Sequence, residues 1–388
     1  MAARYLPLEG MAQAAPLTTR SEVAVTYGSD HVDNIFRALQ ALRKQVAAAI
    51  GNRPILIKTN HVSGGNTPLA ETPSECVEGI LAFLKSIGKT DVTIAECPIT
   101  NPALLCFQKM GYFSLLKKYP VRFRALAEEG YQNMTVYYSG ALGNTVRVSK
   151  MLLNKNYFVI SACRPKAHDR VVATLSLKNI VMGSVIVDAS TFINSSFGSN
   201  DKNYMHNATG TRPYGDGTNF SYNNHQDLND TICMLSRILA PNMSVIDAYQ
   251  GMQHNGPISG SPVDPQQAAV ASLDFLSADR IASMLMDLHN SILAISADGD
   301  TADDSIPGVS PATVTYNWPK YPACLNYCAQ NGVGQYDTSY IDLLGDVTSL
   351  AGLGPLVRTY QLNDTASQTL WMRPTPLSAP IGTDRRLA

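Results

Sequence analysis

No run in this chain approaches the roughly 18 uncharged apolar residues that a membrane-crossing helix requires, so no bilayer-spanning segment is expected. An excess of charge is missing too. The 30 basic side chains stand against 31 acidic ones, a formal net charge of -1, which removes the global field that draws proteins to nucleic acid or anionic membranes. Any anion-binding surface must be local. Cysteine is scarce and scattered: Cys76, Cys97, Cys106, Cys163, Cys233, Cys324 and Cys328 are odd in number and thinly spread, unlike a disulfide framework, and are expected to be reduced. The tightest spacing, Cys324 to Cys328, does not supply the closely spaced sets that iron–sulfur clusters take. Gly64-Gly65 is no phosphate loop, because neither G-x-x-x-x-G-K nor G-x-G-x-x-G stands in the right place. Met1 to Arg20 lacks the apolar segment of a secretory leader, and Arg385-Arg386 lies at the wrong end for a twin-arginine signal. The expected location is cytoplasmic, with secretion only if a leader has been removed. In that case alone would the sequons, such as those at Asn133, Asn207 and Asn242, matter.

What is present suits a folded enzyme-sized chain. Hydrophobic residues make up 45% and charged ones 16% of 388 residues, far from a disordered composition and enough for one large domain or two lobes. Residues 1–30 show no strong period and read as a tail or an edge strand. Val32, Ile35, Leu39, Leu42 and Val46 lie at helical spacing, which predicts one helix over 32–50. Pro54 to Lys58 is a β-rich run that opens into Thr59-Asn60 and the Gly64-Gly65 loop. A helix over 76–87 follows Thr72-Pro73-Ser74-Glu75, with Gly88 as its stop, and Val92 to Glu96 gives a second strand. Further helices are predicted over 102–111 and 113–130, and further strands over 157–162, 243–247 and 266–274. Helices are expected over 227–239, from Ser277 to about Leu293, and over 321–331.

This alternation predicts an α/β fold: a mostly parallel sheet flanked by helices, with a second smaller lobe and a long inserted loop. The insertion is the polar stretch at about 187–226, and loops of that length are usually functional. The expected organisation is an N-terminal tail over 1–30, an α/β domain over 31–345 and a C-terminal arm over 346–388. That arm carries Trp371 and Pro374-Thr375-Pro376, and is long enough to drape over a neighbouring subunit in a homo-oligomer.

Ligands of open α/β sheets bind beyond the carboxyl ends of the strands. Lys58, Asn60, Glu96, Lys166, His168 and Asp247 fall at or just past predicted strand ends, so all are candidates for one site. His168 is the candidate acid/base, since the unperturbed imidazole titrates nearest working pH; capping a helix or binding a carbonyl is its bland alternative. Glu96 suits a base or a metal ligand, or a charge at a helix start before Pro98. Lys166 and Lys178 suit an anion clamp or a Schiff base, or a solvated surface. Lys178 interrupts the apolar run from Leu175 to Met182, where a purely structural lysine is unexpected. Asn179 follows it. The turn at Asn255-Gly256-Pro257 offers backbone N–H groups to an oxyanion, or is a plain tight turn. A divalent metal stays open as a cofactor, with His206, His225 and His254 beside Glu96 and Asp247 as N/O donors.

Several of these residues stand in an order that resembles the domain-of-unknown-function 362 family. Ile57-Lys58-Thr59-Asn60 is similar to its lysine-proline-asparagine segment, and a strand ending in Glu96 follows. Ile160 to His168, with Ser176-Leu177-Lys178-Asn179 and Gly183, is similar to its K-x-H and L-K-N segments. Ile246-Asp247, Asn255-Gly256-Pro257, Ala278-Asp279 and Gly332-Val333-Gly334 resemble its later landmarks, so that the likeness runs from about Pro54 to Gly345. Thr59 replaces the usual proline, Gln253 stands where glutamate is frequent, and the ferredoxin-like cysteine module of many relatives has no counterpart. The resemblance implies a fold and a candidate site and no particular reaction.

Three functions follow as expectations. The first is an isomerase- or lyase-type enzyme that moves a proton on a small anionic substrate, by isomerisation, cyclisation or elimination. Its catalytic residues would be His168, Glu96, Lys166 and Lys178, with Lys58, Asn60, Asn179, Asp247, Asn255 and Gly256 binding substrate. The second is a metal- or iron–sulfur-linked redox protein. The third is a non-catalytic oligomeric binding protein.

Overall fold

The computed structural model describes residues 17–138, 141–168, 171–188, 201–206, 209–213, 219–223, 225–254, 256–288 and 323–361. The chain enters through strand β1 (Ser21–Tyr27), helices α1 (His31–Ala41) and α2 (Arg43–Ile50), and β2 (Ile55–Lys58). Then come α3 (Ser74–Ser86), β3 (Val92–Glu96), α4 (Ala103–Lys109) and β4 (Val121–Ala125). A hairpin of β5 (Tyr131–Tyr138) and β6 (Ala141–Ser149) leads through the single turn α5 (Lys150–Leu153) to β7 (Phe158–Cys163). Two short strands follow, β8 (Lys166–His168) and β9 (Val172–Thr174), before helices α6 (Ser176–Ser184) and α7 (Asp201–His206). A second hairpin, β10 (Thr209–Pro213) and β11 (Asn219–Asn223), precedes α8 (His225–Leu239) and β12 (Met243–Ala248). The chain continues through β13 (Met252–Gln253), β14 (Ser261–Pro262), β15 (Ala268–Ser272), α9 (Phe275–Leu285), α10 (Ala323–Gln330) and β16 (Ile341–Gly345).

Eight strands form the main sheet in the order β16-β1-β15-β12-β7-β2-β3-β4. Only β15 runs against its neighbours, pairing antiparallel with both β1 and β12; the other pairings are parallel. Strands buried on both faces are mainly apolar, as Ile55-Leu56-Ile57 and, Ser161 excepted, Phe158 to Cys163 are. Alternate residues therefore feed two cores. Ile55, Ile57, Ile94, Ile160 and Val245 pack with Ile35, Val77 and Ile80 of α1 and α3. Leu56, Ala95, Cys163 and Ile246 pack with Leu177, Ile180, Ile232 and Ile281 of α6, α8 and α9. The fold is thus a mostly parallel sheet covered by helices on both faces, as the strand and helix alternation predicts. Among the described residues no helix is long and apolar enough to cross a membrane.

Four sequence readings need correction. Residues 21–27 are neither tail nor edge: β1 lies between β15 and β16, because Val23 and Val25 fill one core and Ala24 the other. The helix over 32–50 is two helices that break at Leu42, while Leu39, Leu42 and Val46 stay buried in one stripe, so the spacing alone reads as continuous. The helix over 113–130 does not form. Tyr112–Lys117 is a 3-10 helix, Pro120 disfavours helix in the residue before it, and Val121–Ala125 alternates buried and more exposed positions as strand β4 beside β3. The third helix in question starts at Phe275 rather than Ser277, where the Asp274 carboxylate accepts from the backbone N–H groups of Leu276 and Ser277.

The start of the expected C-terminal arm packs on its own chain. Leu353, Leu356 and Tyr360 are buried, and the Tyr360 hydroxyl donates to Gln266 Oε1 at 2.8 Å. Residues 362–388, with Trp371, lie outside the described residues, as do parts of the polar insertion.

One long-range cap positions the helix that matters most. The first N–H groups of a helix need outside acceptors, and in α6 the Asp279 carboxylate of α9 accepts from Ser176 and Leu177 N–H, both at 2.8 Å. Asp279 is fully buried, and burial pushes its carboxyl up to about 8, against the pull of those two N–H groups. Asp279→Asn should destabilise the protein by about 1–3 kcal/mol, because an amide presents an N–H to one of the two donors and leaves it orphaned. The pH dependence has a definite sign. Between the ordinary aspartate range and about pH 8 the unfolded chain ionises at this position while the folded one holds its proton, so stability falls as pH rises and levels above about 8. Urea unfolding at several pH values should show that slope in the native protein and a flatter profile in the variant; parallel profiles would refute it.

Candidate active site

The chain leaves β2 toward β3 and β4 on one side, and later fills β7 and β12 on the other. Strand order reverses between β2 and β7, which is where open α/β sheets leave a crevice for ligands. Lys58 ends β2 at this seam, Glu96 ends β3, and Lys166 and His168 come just past β7.

Lys58 shares the sheet face of Leu56, under α6, and is fully buried. Its ammonium donates to Glu96 Oε1 at 2.6 Å, to the Thr59 carbonyl at 2.5 Å and to Asn179 Oδ1 at 3.2 Å. Three donors meet three acceptors, as a buried lysine requires. Glu96 also accepts from the backbone N–H groups of His61 at 2.9 Å and Cys97 at 2.8 Å, and from the Thr59 hydroxyl at 3.4 Å. Burial pushes this carboxyl up, but Lys58, His61 and Lys202 outweigh burial and hold it below its ordinary range.

Asn179 bolts the seam. Its Oδ1 accepts from Lys58 and, at 3.2 Å, from Asn60 Nδ2; its Nδ2 donates to Ser161 Oγ at 3.0 Å. One turn further along α6, a Cβ on Gly183 would stand 2.4 Å from Lys58 Nζ, so any other residue there would push the ammonium aside.

Lys166 is fully buried and donates to Asn60 Oδ1 and to the Ala70 carbonyl, both at 2.6 Å. Burial lowers its pKa to about 8, against the opposing influence of Glu71. His168 lies two residues on in β8 and therefore on the same face of the strand. Its Nε2 is 2.6 Å from Lys178 Nζ, and both side chains are buried.

The structure thus brings Lys58, Asn60, Glu96, Lys166 and Asn179 into one hydrogen-bonded network, with the His168 and Lys178 pair carried on the same β8 and α6. Asp247 is not in that network. It shares the sheet face of Val245, toward α1, and bonds to His31 Nε2 at 2.6 Å and to Tyr249 N–H at 3.1 Å. Gly256 packs backbone to backbone on β8, where a Cβ would stand 1.9 Å from the Ala167 carbonyl oxygen; Asn255 lies outside the described residues. His254 is exposed and bonds to Ser261 Oγ at 2.8 Å. The side chains of His206 and His225 also lie outside the described residues.

Three residues here went unread in the sequence. Lys202, from α7 of the polar insertion, is buried with Nζ 2.5 Å from the Cys97 carbonyl, and burial lowers its pKa. His61 and Glu71 flank the loop after β2. Burial lowers the His61 pKa to about 4 and raises that of Glu71 to about 7. A histidine three residues past a strand end was a usable signal; a lone glutamate in a loop was not.

The fold defines an α/β protein, and a candidate site of buried lysine, carboxylate and imidazole side chains lies at its topological switch point. The profile of the DUF362 family, a domain of unknown function, matches residues 55–284, and the chain belongs to this family. No curated protein matches the chain. Among solved structures, a protein from Thermotoga maritima is similar at 11% identity and a TM-score of 0.36, over 64% of this chain and 57% of that one. The chain therefore spans under two thirds of that protein's length. The lactate racemase apoprotein from Thermoanaerobacterium thermosaccharolyticum is similar at 10% identity and a TM-score of 0.34, over 95% of this chain and 92% of that one.

Proposed function

We propose that this protein is an enzyme that moves a proton on a small anionic substrate, in an isomerisation, cyclisation or elimination, with His168 as the acid/base. The observation that carries this reading is the 2.6 Å contact between His168 Nε2 and Lys178 Nζ. Two positive charges at that separation repel by about 6 kcal/mol at an effective dielectric near 20, so the contact favours one shared charge. A proton can pass along such a contact between an amine and an imidazole. Lys166, with its pKa brought down to about 8, is the candidate second proton carrier or anion partner.

Glu96, Lys58 and Asn179 take a different role in this proposal. Glu96 already accepts four donors and its pKa is depressed, which makes it a poor base and a good anchor. We assign the three to holding the seam rigid, with Asn60 orienting Lys166 and the Gly256 turn closing the site beside β8.

The test is hydrogen exchange rather than a guessed substrate. Small carboxylates and phosphorylated acids are incubated with the protein in D2O, and mass spectrometry reads deuterium gained at carbon. Substrate labelling that disappears in His168→Ala protein with an unchanged melting temperature supports the reading. Labelling that persists in the variant sinks it. The homo-oligomer reading is tested separately: removing residues 362–388 should lower the number of subunits per particle in solution, and an unchanged number would argue against an arm-mediated assembly.

A further inference from the structure

We propose that His61, Glu71 and Cys106 bind one divalent transition-metal ion, zinc by its donor set, which ties the 59–73 loop to α4. The three side chains are buried, and their ligand atoms all lie within 4.8 Å of one another. A tetrahedral zinc separates its donors by roughly 3.3–3.6 Å, so the trio closes on an ion with small movements.

The hydrogen bonds around the trio leave the right lone pairs open. His61 Nε2 lies 3.3 Å from the Thr72 carbonyl, which can only accept, and 3.2 Å from the Tyr112 hydroxyl, which donates its own proton to that carbonyl, so the arrangement suits a proton on Nε2. The other nitrogen, Nδ1, is then a bare base, and it is buried with no hydrogen-bond partner among the described residues. Metal-binding histidines use this arrangement, with the second nitrogen donating to a backbone carbonyl. In Glu71, Oε1 takes the N–H groups of Ser63 at 2.9 Å and Gly65 at 3.2 Å and also the Ser63 hydroxyl. Oε2 is buried and has no partner among the described residues. A proton shared between Nδ1 and Oε2 would appear as a hydrogen bond, and none joins these side chains.

Charge balance completes the case. A divalent ion displaces the Cys106 thiol proton to solvent and binds thiolate, carboxylate and neutral imidazole, a set of zero net charge suited to a buried site. One nitrogen, one sulfur and one oxygen select zinc over the all-oxygen preference of magnesium or calcium. Water completes the tetrahedron. The ion would stand behind the candidate active site and fix it: the His61 N–H holds Glu96, and the carbonyl of Ala70, next to Glu71, holds Lys166.

The experiment is zinc titration of the full chelator-stripped chain against a chromophoric competitor, with Cys106→Ser and Glu71→Gln alongside. One equivalent should bind the native chain, and each variant should bind more than about a hundredfold more weakly. Binding unchanged in both variants, or no binding by the folded native chain, overturns the proposal. X-ray absorption of the zinc-loaded native chain needs no variant. A first shell of one sulfur and three lighter donors supports the site, and any other sulfur count refutes it. Neither result depends on His168 or on hydrogen exchange into a substrate.

Discussion

Lys58→Met should cost this protein about 3–5 kcal/mol of stability, the scale expected when one partner of a buried ion pair is removed. The methionine keeps most of the volume, so the loss reports charge rather than a cavity. What remains is a Glu96 carboxylate, 2% exposed, whose remaining hydrogen-bond donors are neutral and whose charge is offset by Lys202 without Lys58, in a region with little access to water. Lys58→Met combined with Glu96→Gln should recover part of the loss, because the stranded charge is gone while the amide oxygen still accepts from a backbone N–H. Urea midpoints at unchanged slope measure both effects. A single variant within about 1 kcal/mol of the native protein would mean that the pair is not held as described. Gly183→Ala should act in the same direction, since the added methyl displaces the ammonium from its acceptors, whereas an unhindered alanine in a helix would stabilise.

The largest effect on chemistry is expected from His168→Ala. Removal of a positioned acid/base typically lowers the rate about 10²–10⁴-fold, and here that loss should appear in deuterium labelling without loss of fold. Lys178→Met should fall in the same range, since either change dissolves the pair. Groups that act as a unit are not additive, so the double variant should be little worse than either single one. If the two losses multiply, His168 and Lys178 act independently and the shared-proton reading fails. Lys178→Arg discriminates further, because a guanidinium keeps the charge but does not give up its proton; activity near native in that variant would limit Lys178 to an electrostatic role.

Legibility in the sequence followed the strength of local signals. The strands ending in Lys58 and Glu96 are apolar runs bounded by polar loops, and the parallel sheet follows from their alternation with helices. The candidate site residues at those ends were readable for the same reason: a charged residue closing a buried strand is out of place unless it faces a crevice. Lys178 was readable as a charge inside an apolar helix. By contrast β4 hid under an apparent helical pattern, and the β5–β6 hairpin gave no distinct signal. Asp247 shows the limit of the strand-end argument. It ends its strand as Lys58 does, but side chains alternate between faces, and its place in that alternation turns it toward α1 and His31.

The sequence by itself determined the α/β class, the family and the list of strand-end residues, because each depends on local periodicity or on residue order. Tertiary structure alone decided which of those residues meet. The pairing of Lys58 with Glu96, the contact of Lys178 with His168, and the gathering of His61, Glu71 and Cys106 depend on strand order, on strand parity and on how closely α6 lies over the sheet. Contacts between residues tens of positions apart leave no periodic trace in one chain, since the burial that makes them costly or useful is a property of the packed layers.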